Sequence, residues 1–190
     1  MAELRLFWAL NLPTALKAEL AVFQDQLKKI CPDAKWVQQE NLHLTVKFLG
    51  AVEASNLAVL TRTVAENIAA LKPFWLELTG WGIFGRPARV LWVGVGGDTE
   101  QLWELWKRVE KAVLPLGFAA EKKGFSPHLT LARFRTPPNL AALRQQADAL
   151  ANERSSWGGF VVDRVDLMQS TLTRQGPIYR VVAMVGLQGS

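Results

Sequence analysis

Two stretches of the chain decide its fold: Asn41-Leu42-His43-Leu44-Thr45-Val46-Lys47-Phe48-Leu49-Gly50 and Phe125-Ser126-Pro127-His128-Leu129-Thr130-Leu131-Ala132-Arg133. Each holds one histidine, and the chain of 190 residues has only these two. His43-Leu44-Thr45-Val46 and His128-Leu129-Thr130-Leu131 are the same tetrapeptide type, 85 positions apart. Both alternate apolar and polar residues, the pattern of a half-buried strand.

The surrounding pattern repeats at the same interval. Leu16, Leu20, Phe23, Leu27 and Ile30 recur at helical steps, and Leu102, Trp106, Val109, Val113 and Leu116 do so 86 positions on. A helix follows from Leu57, Leu60, Val64, Ile68 and Leu71, with Ser55 as its cap. Another follows from Leu140, Leu143, Ala147 and Leu150 after Asn139. Strands are expected at 4–10, 42–49, 74–79, 89–95, 128–134, 160–169 and 178–185, where branched and aromatic residues cluster between Gly, Pro or Asp. Two copies are too few for a solenoid. The expectation is one bilobal α+β domain over 1–190. It has two pseudo-symmetric lobes, about 4–83 and 89–169, and a final strand at 178–185. Antiparallel sheets line a central cleft and helices cover the outer faces.

Strand geometry places the chemistry. Side chains two apart share a face, so His43 and Thr45 point one way while Leu42, Leu44 and Val46 point into a core. His128 and Thr130 do the same against Leu129 and Leu131. A two-fold relation between lobes lets the two polar pairs confront each other across the cleft. Two imidazoles there suit phosphodiester chemistry: one neutral ring takes a proton from water and one protonated ring gives a proton to the leaving oxygen. The threonine hydroxyls can bond non-bridging oxygens. A duplicated, repeat-matched motif outweighs the reading of two ordinary structural histidines. A two-histidine metal site lacks a third ligand.

With these motifs on view, the chain resembles the 2H phosphoesterase superfamily, named for its paired H-x-T-x motifs. More closely it is similar to the RNA 2′,3′-cyclic phosphodiesterases, also called 2′-5′ RNA ligases. Arg5-Leu6-Phe7-Trp8-Ala9-Leu10 and Arg89-Val90-Leu91-Trp92 join the two stretches above in carrying the resemblance, which spans nearly the whole chain. It implies metal-independent hydrolysis of an RNA 3′-terminal 2′,3′-cyclic phosphate to a 2′-phosphate, with RNA ligase activity in some members. It also implies His43 as proton donor and His128 as proton acceptor, roles that the local symmetry of residues leaves open. Alternatives are a 2H enzyme acting on a small cyclic nucleotide or cyclic ADP-ribose phosphate, and a non-catalytic RNA- or nucleotide-binding module.

Around the motifs, Arg133 is expected to contact phosphate. Strict alternation puts it on the wrong face, so a bulge or the strand end must turn it inward. Lys47 shares parity with His43 and reads as a lysine at the cleft mouth or in solvent. Trp92, Phe7 and Phe125 are a wall for a terminal base. Trp8, Trp75, Trp81, Trp103 and Trp106 read as packing. Arg86 and Arg89 read equally as RNA-backbone contacts or surface groups, and Cys31 gets no role.

Composition agrees with this reading. With 49% hydrophobic and 21% charged residues the chain is globular rather than disordered. Its single cysteine excludes an internal disulfide and a cysteine-bound zinc. A net charge of +5 favours an anionic partner. No apolar run is long enough to span a bilayer. The expected setting is a cytoplasmic monomer without cofactor, acting on RNA with a cyclic phosphate end or a small cyclic phosphodiester.

Overall fold

A computed structural model describes residues 3–122, 124–153 and 156–189. The elements run β1 (Glu3–Asn11), α1 (Thr14–Lys28), β2 (Lys35–Trp36), β3 (His43–Glu53), α2 (Leu57–Ile68), β4 (Phe74–Phe84), β5 (Val90–Gly97), α3 (Thr99–Val113), β6 (Leu129–Arg133), α4 (Leu140–Asn152), β7 (Gly158–Val162), β8 (Arg164–Thr173) and β9 (Gly176–Gly186). Two antiparallel sheets form. One has the order β3-β1-β8-β9 and the other β2-β6-β5-β4-β7. The fold class is α+β, as the motif spacing led one to expect.

β1 shows how the sequence is sorted. Leu6, Trp8 and Leu10 enter the main core, while Phe7 and Ala9, on the other face, form a small cluster with Met168 beside Tyr179. A strand buried on both faces belongs inside a sheet, and β1 lies between β3 and β8. The helices bury one stripe each. Leu16, Leu20, Phe23 and Leu27 do so on α1, and Leu102, Leu105, Val109 and Val113 on α3. On both stripes a polar residue is buried as well: Gln24 and Glu110.

The structure corrects three local expectations. The expected strand 160–169 is two strands in different sheets. β7 pairs with β4 and β8 pairs with β1, and the chain changes sheet at Asp163, whose carbonyl accepts from Leu187 N at 2.7 Å. Ser55 does not cap α2: it lies in a short 3-10 turn, and Asn56 occupies the cap position without a side-chain bond. The short strand β2 was not foreseen.

The two halves of the sequence are also interleaved. β4, from the first half, pairs with β5 of the second; β8, from the second half, pairs with β1 of the first. Each sheet thus takes in strands from the other half, β8 and β9 in the first and β2 and β4 in the second.

Asn139 does cap α4, accepting from Ala142 N at 3.2 Å. Asn139→Ala is expected to lower unfolding free energy by about 1 kcal/mol. Ser55→Ala, which removes no cap, should change it by less than about 0.5 kcal/mol. Urea denaturation of both variants checks the pair.

Candidate active site

Both histidines are held alike. His43 Nδ1–H donates to the Asn41 carbonyl at 2.7 Å, and His128 Nδ1–H donates to the Ser126 carbonyl at 2.7 Å. In each case the acceptor lies two residues upstream. This fixes Nδ1 as the protonated nitrogen of the neutral ring and leaves Nε2 for chemistry. Nε2 of His43 accepts from the Thr45 hydroxyl at 3.0 Å. The Asn41 amide donates in turn to the Pro177 carbonyl at 2.9 Å, tying the turn before β3 to β9.

Aromatic rings back each imidazole. His43 lies 5.0 Å from Phe7 and edge-on to Tyr179 at 5.2 Å, between ring centroids. His128 lies edge-on to Phe84 at 4.9 Å, and Phe84 packs on Trp92 at 5.0 Å. Trp92 pairs across the sheet with Thr130, and its indole covers Gly82 so closely that a Cβ there would collide with the ring. Trp92 therefore faces the same side as the second motif.

Both motif strands break the two-residue period at the same place. In β3, Thr45 pairs with Ala9 and Lys47 with Trp8, which leaves Val46 as an extra residue. In β6, Thr130 pairs with Trp92 and Ala132 with Leu91, which leaves Leu131 extra. These are β-bulges, and each turns two consecutive residues to the core: Val46 and Lys47, then Leu131 and Ala132. The residue after each pair returns to the site face. That residue is Phe48 in the first motif and Arg133 in the second. The bulge expected for Arg133 is present.

The same geometry overturns the reading of Lys47. It is only 6% exposed and faces inward, where its ammonium lies 2.6 Å from Glu110 Oε1 and donates to the Ala119 carbonyl at 2.7 Å. Phe125 does not join the site either. It is buried against α3, stacked on Trp106 with centroids 5.4 Å apart and edge-on to Trp103. Phe7 is buried beneath His43 and supports that ring rather than offering a free face. Arg89 donates to the Arg135 carbonyl at 3.1 Å. The neighbours that sequence reasoning missed are Asn41, Phe84, Tyr179 and Gln24. Tyr179, the only tyrosine in the chain, was the one with a visible signal.

A cavity of about 380 Å³ opens beside His43 between the two sheets. Arg5, Phe48 and Tyr179 line it from one sheet; Lys35, Trp36 and Arg133 line it from the other. It carries three cationic side chains and no carboxylate. Burial holds the Tyr179 phenol above its ordinary value, while the charges of Arg133 and Arg5 pull it down. Arg133 thus acts electrostatically on a residue of the opposite sheet. Among the described residues no group of three or more His, Cys, Asp or Glu side chains gathers as a metal site. No helix among them is long and apolar enough to cross a membrane.

Burial pushes His43 down to about 4, with Lys17 adding to the effect and the Asn41 carbonyl opposing it. In the unfolded chain His43 takes up a proton near pH 6.5, whereas in the fold it does so only near 4. Between these values the unfolded state binds more protons, so stability rises with pH. It is fully present above 6.5 and falls by up to about 3 kcal/mol as pH drops toward 4. Denaturation curves of wild type and His43→Ala at pH 7 and pH 4.5 should show a shallower loss in the variant.

Comparison with known proteins agrees with this geometry. Residues 13–174 match the 2′-5′ RNA ligase superfamily. An RNA 2′,3′-cyclic phosphodiesterase of Aeropyrum pernix is 37% identical over 86% of this chain and 92% of its own. One of Methanocaldococcus jannaschii is 33% identical over 94% and 98%. Among solved structures, TT0787 of Thermus thermophilus superimposes with a TM-score of 0.79 at 26% identity, covering 97% of this chain and 98% of that one. E. coli LigT, crystallised with 3′-AMP, shares the fold with a TM-score of 0.77 at 23% identity, covering 98% and 99%. With its paired motifs intact and a match over most of its length, the chain belongs to the 2′-5′ RNA ligase superfamily.

Proposed function

We propose that the protein hydrolyses the 2′,3′-cyclic phosphate at the 3′ end of RNA to a 2′-phosphate, using His43 and His128 as its acid–base pair. The observation that carries this reading is the duplicated motif with the matched tethering of its two histidines. Two imidazoles in one tautomer each keep Nε2 unprotonated, and each has a motif threonine two residues on, the first already bonded to its ring. The names of the 30–37% identical relatives point the same way.

In the reaction, water adds to phosphorus opposite the 3′ oxygen. One histidine takes the water proton, the P–O3′ bond breaks, and the other histidine protonates O3′. The product keeps phosphate on O2′ and a hydroxyl on C3′. A 5′-hydroxyl in the place of water would give a 2′-5′ linkage by the same transfers. Arg133 and the two threonines offset charge on the non-bridging oxygens. No metal ion is needed for these steps. The bilobal chain acts as a monomer on RNA in the cytoplasm. The cavity bearing Arg5, Lys35 and Arg133, with Trp36, Phe48 and Tyr179 interleaved, receives the nucleotides next to the cyclic end. Trp92 contributes at the opposite side, against Phe84 and His128.

Family resemblance makes His43 the donor and His128 the acceptor. The free protein, however, holds His43 neutral down to about 4. A bound phosphate anion against the ring favours its charged form and would raise its titration from about 4 back toward 6.5. A second reading follows from the same value: His43 is the acceptor and His128 the donor. Both readings give one bell-shaped profile for kcat/KM, with its acid limb near 4, because the profile reports the titrations and not their owners. A proton NMR titration with and without the unreactive 2′-AMP separates the two. A rise of His43 on binding supports the donor role; a value that stays near 4 assigns it as acceptor.

The central experiment is incubation of a short RNA bearing a 2′,3′-cyclic phosphate with the protein in excess chelator. The expected product carries a 2′-phosphate. His43→Ala and His128→Ala should each lower kcat by about 10²–10⁴-fold. A 3′-phosphate product, or full turnover in either variant, would remove this reading. The cavity adds a second expectation: Arg5→Ala/Lys35→Ala should lower kcat/KM for the oligonucleotide about tenfold more than for a 2′,3′-cyclic mononucleotide, and flatten its salt dependence.

A further inference from the structure

The bulges in β3 and β6 are each gripped by a buried polar side chain from the opposite half of the sequence. Gln24 on α1 is 1% exposed, and its amide spends both N–H groups on two carbonyls, Val37 O at 2.9 Å and Leu131 O at 2.9 Å. Leu131 is the bulge residue of β6, and its carbonyl also accepts from Val37 N at 2.9 Å. On the other side of the molecule, Glu110 on α3 ion-pairs with Lys47, which directly follows the bulge residue Val46 of β3. Gln24 and Glu110 are equivalent in the repeat, 86 positions apart. Ala132 stands at the place of Lys47, so the second motif has no cation there for a carboxylate to pair with. An amide fits that helix position, and a carboxylate fits its counterpart.

A polar side chain in a core costs free energy unless it is fully bonded, and neither bond set is needed to close a helix or a strand. Both are spent on the bulge that directly follows the threonine in each motif strand. We infer that Gln24 and the Lys47–Glu110 pair are positioning residues: each clamps a motif bulge from the opposite half of the chain, and so sets which residue beyond the threonine faces the phosphate. The inference rests on the phosphate site proposed above. Gln24 acts on Thr130 and Arg133, and Glu110 acts through Lys47 on Thr45 and Phe48. Neither side chain touches substrate.

The experiment is a double-mutant cycle read by binding, so that it does not depend on turnover. Affinity for 2′-AMP is measured by calorimetry in wild type, Gln24→Met, Arg133→Ala and the double variant. Gln24→Met keeps volume and removes the two N–H donors. It is expected to weaken 2′-AMP about tenfold, since small displacements of a binding group are costly, but less than about twofold once Arg133 is already absent. Equal weakening in both backgrounds would make Gln24 a merely structural residue and overturn the inference, as would no weakening at all. Should Gln24→Met fail to fold, Gln24→His, which keeps one N–H donor, is run in the same cycle. Its partial loss in the wild-type background alone supports the clamp, and its equal loss in both overturns it. Failure of wild type to bind 2′-AMP would instead count against the phosphate site itself.

Discussion

A strand offers alternate side chains to each face, yet the candidate site has positions one, three and six of each motif segment on the same face. His43, Thr45 and Phe48 stand in that relation, as do His128, Thr130 and Arg133. An unbroken strand cannot present such a set, because the third member falls on the opposite parity. One extra residue after each threonine resolves the conflict. The rest of the site follows from that shift. It brings Arg133 into the cleft with the cavity that Arg5 and Tyr179 share. It also drives the neighbouring position into the core, where the first motif must then accommodate a lysine and the second an alanine.

The near-symmetry of the motifs ends at their surroundings. Both rings use Nδ1 in the same way, but His43 is enclosed by Phe7, Tyr179 and the charge of Lys17, while His128 meets Phe84 at a more open edge. The two motifs therefore share one tethering of the ring and differ in what packs around it.

Much of this was legible in the chain itself. The paired histidines, the threonines, the repeat and the four helices are written in spacing and period, signals that survive any local irregularity. What was not legible depends on register. A bulge has no compositional mark here, so Lys47 read as a lysine at the cleft mouth until its strand shifted it inward. Phe125 stands three residues before His128 and read as part of the wall, yet it precedes β6 and turns onto Trp106 instead. The break at Asp163 falls in Phe160-Val161-Val162-Asp163-Arg164-Val165-Asp166-Leu167-Met168, where strand-forming residues continue on both sides with no Gly or Pro to divide one strand from two. Gln24 was invisible for the opposite reason: on a helix it counts as polar, and its burial depends on carbonyls 13 and 107 positions away.

The interleaving of the halves gives these local devices their effect. Were each half a closed lobe, the cleft would widen or narrow with the loops that join them. Instead β4 joins the second sheet and β8 joins the first, so the ladders themselves fix where each half lies relative to the other. Side chains then reach across in both directions, from α1 to β6 and from α3 to β3. In-line displacement at phosphorus requires its acid and its base on opposite sides of one atom, and side-chain placement is unforgiving at that scale. A site shared between two sheets meets such a demand only if the sheets cannot drift. Exchanging strands between the halves is how this chain makes them one frame.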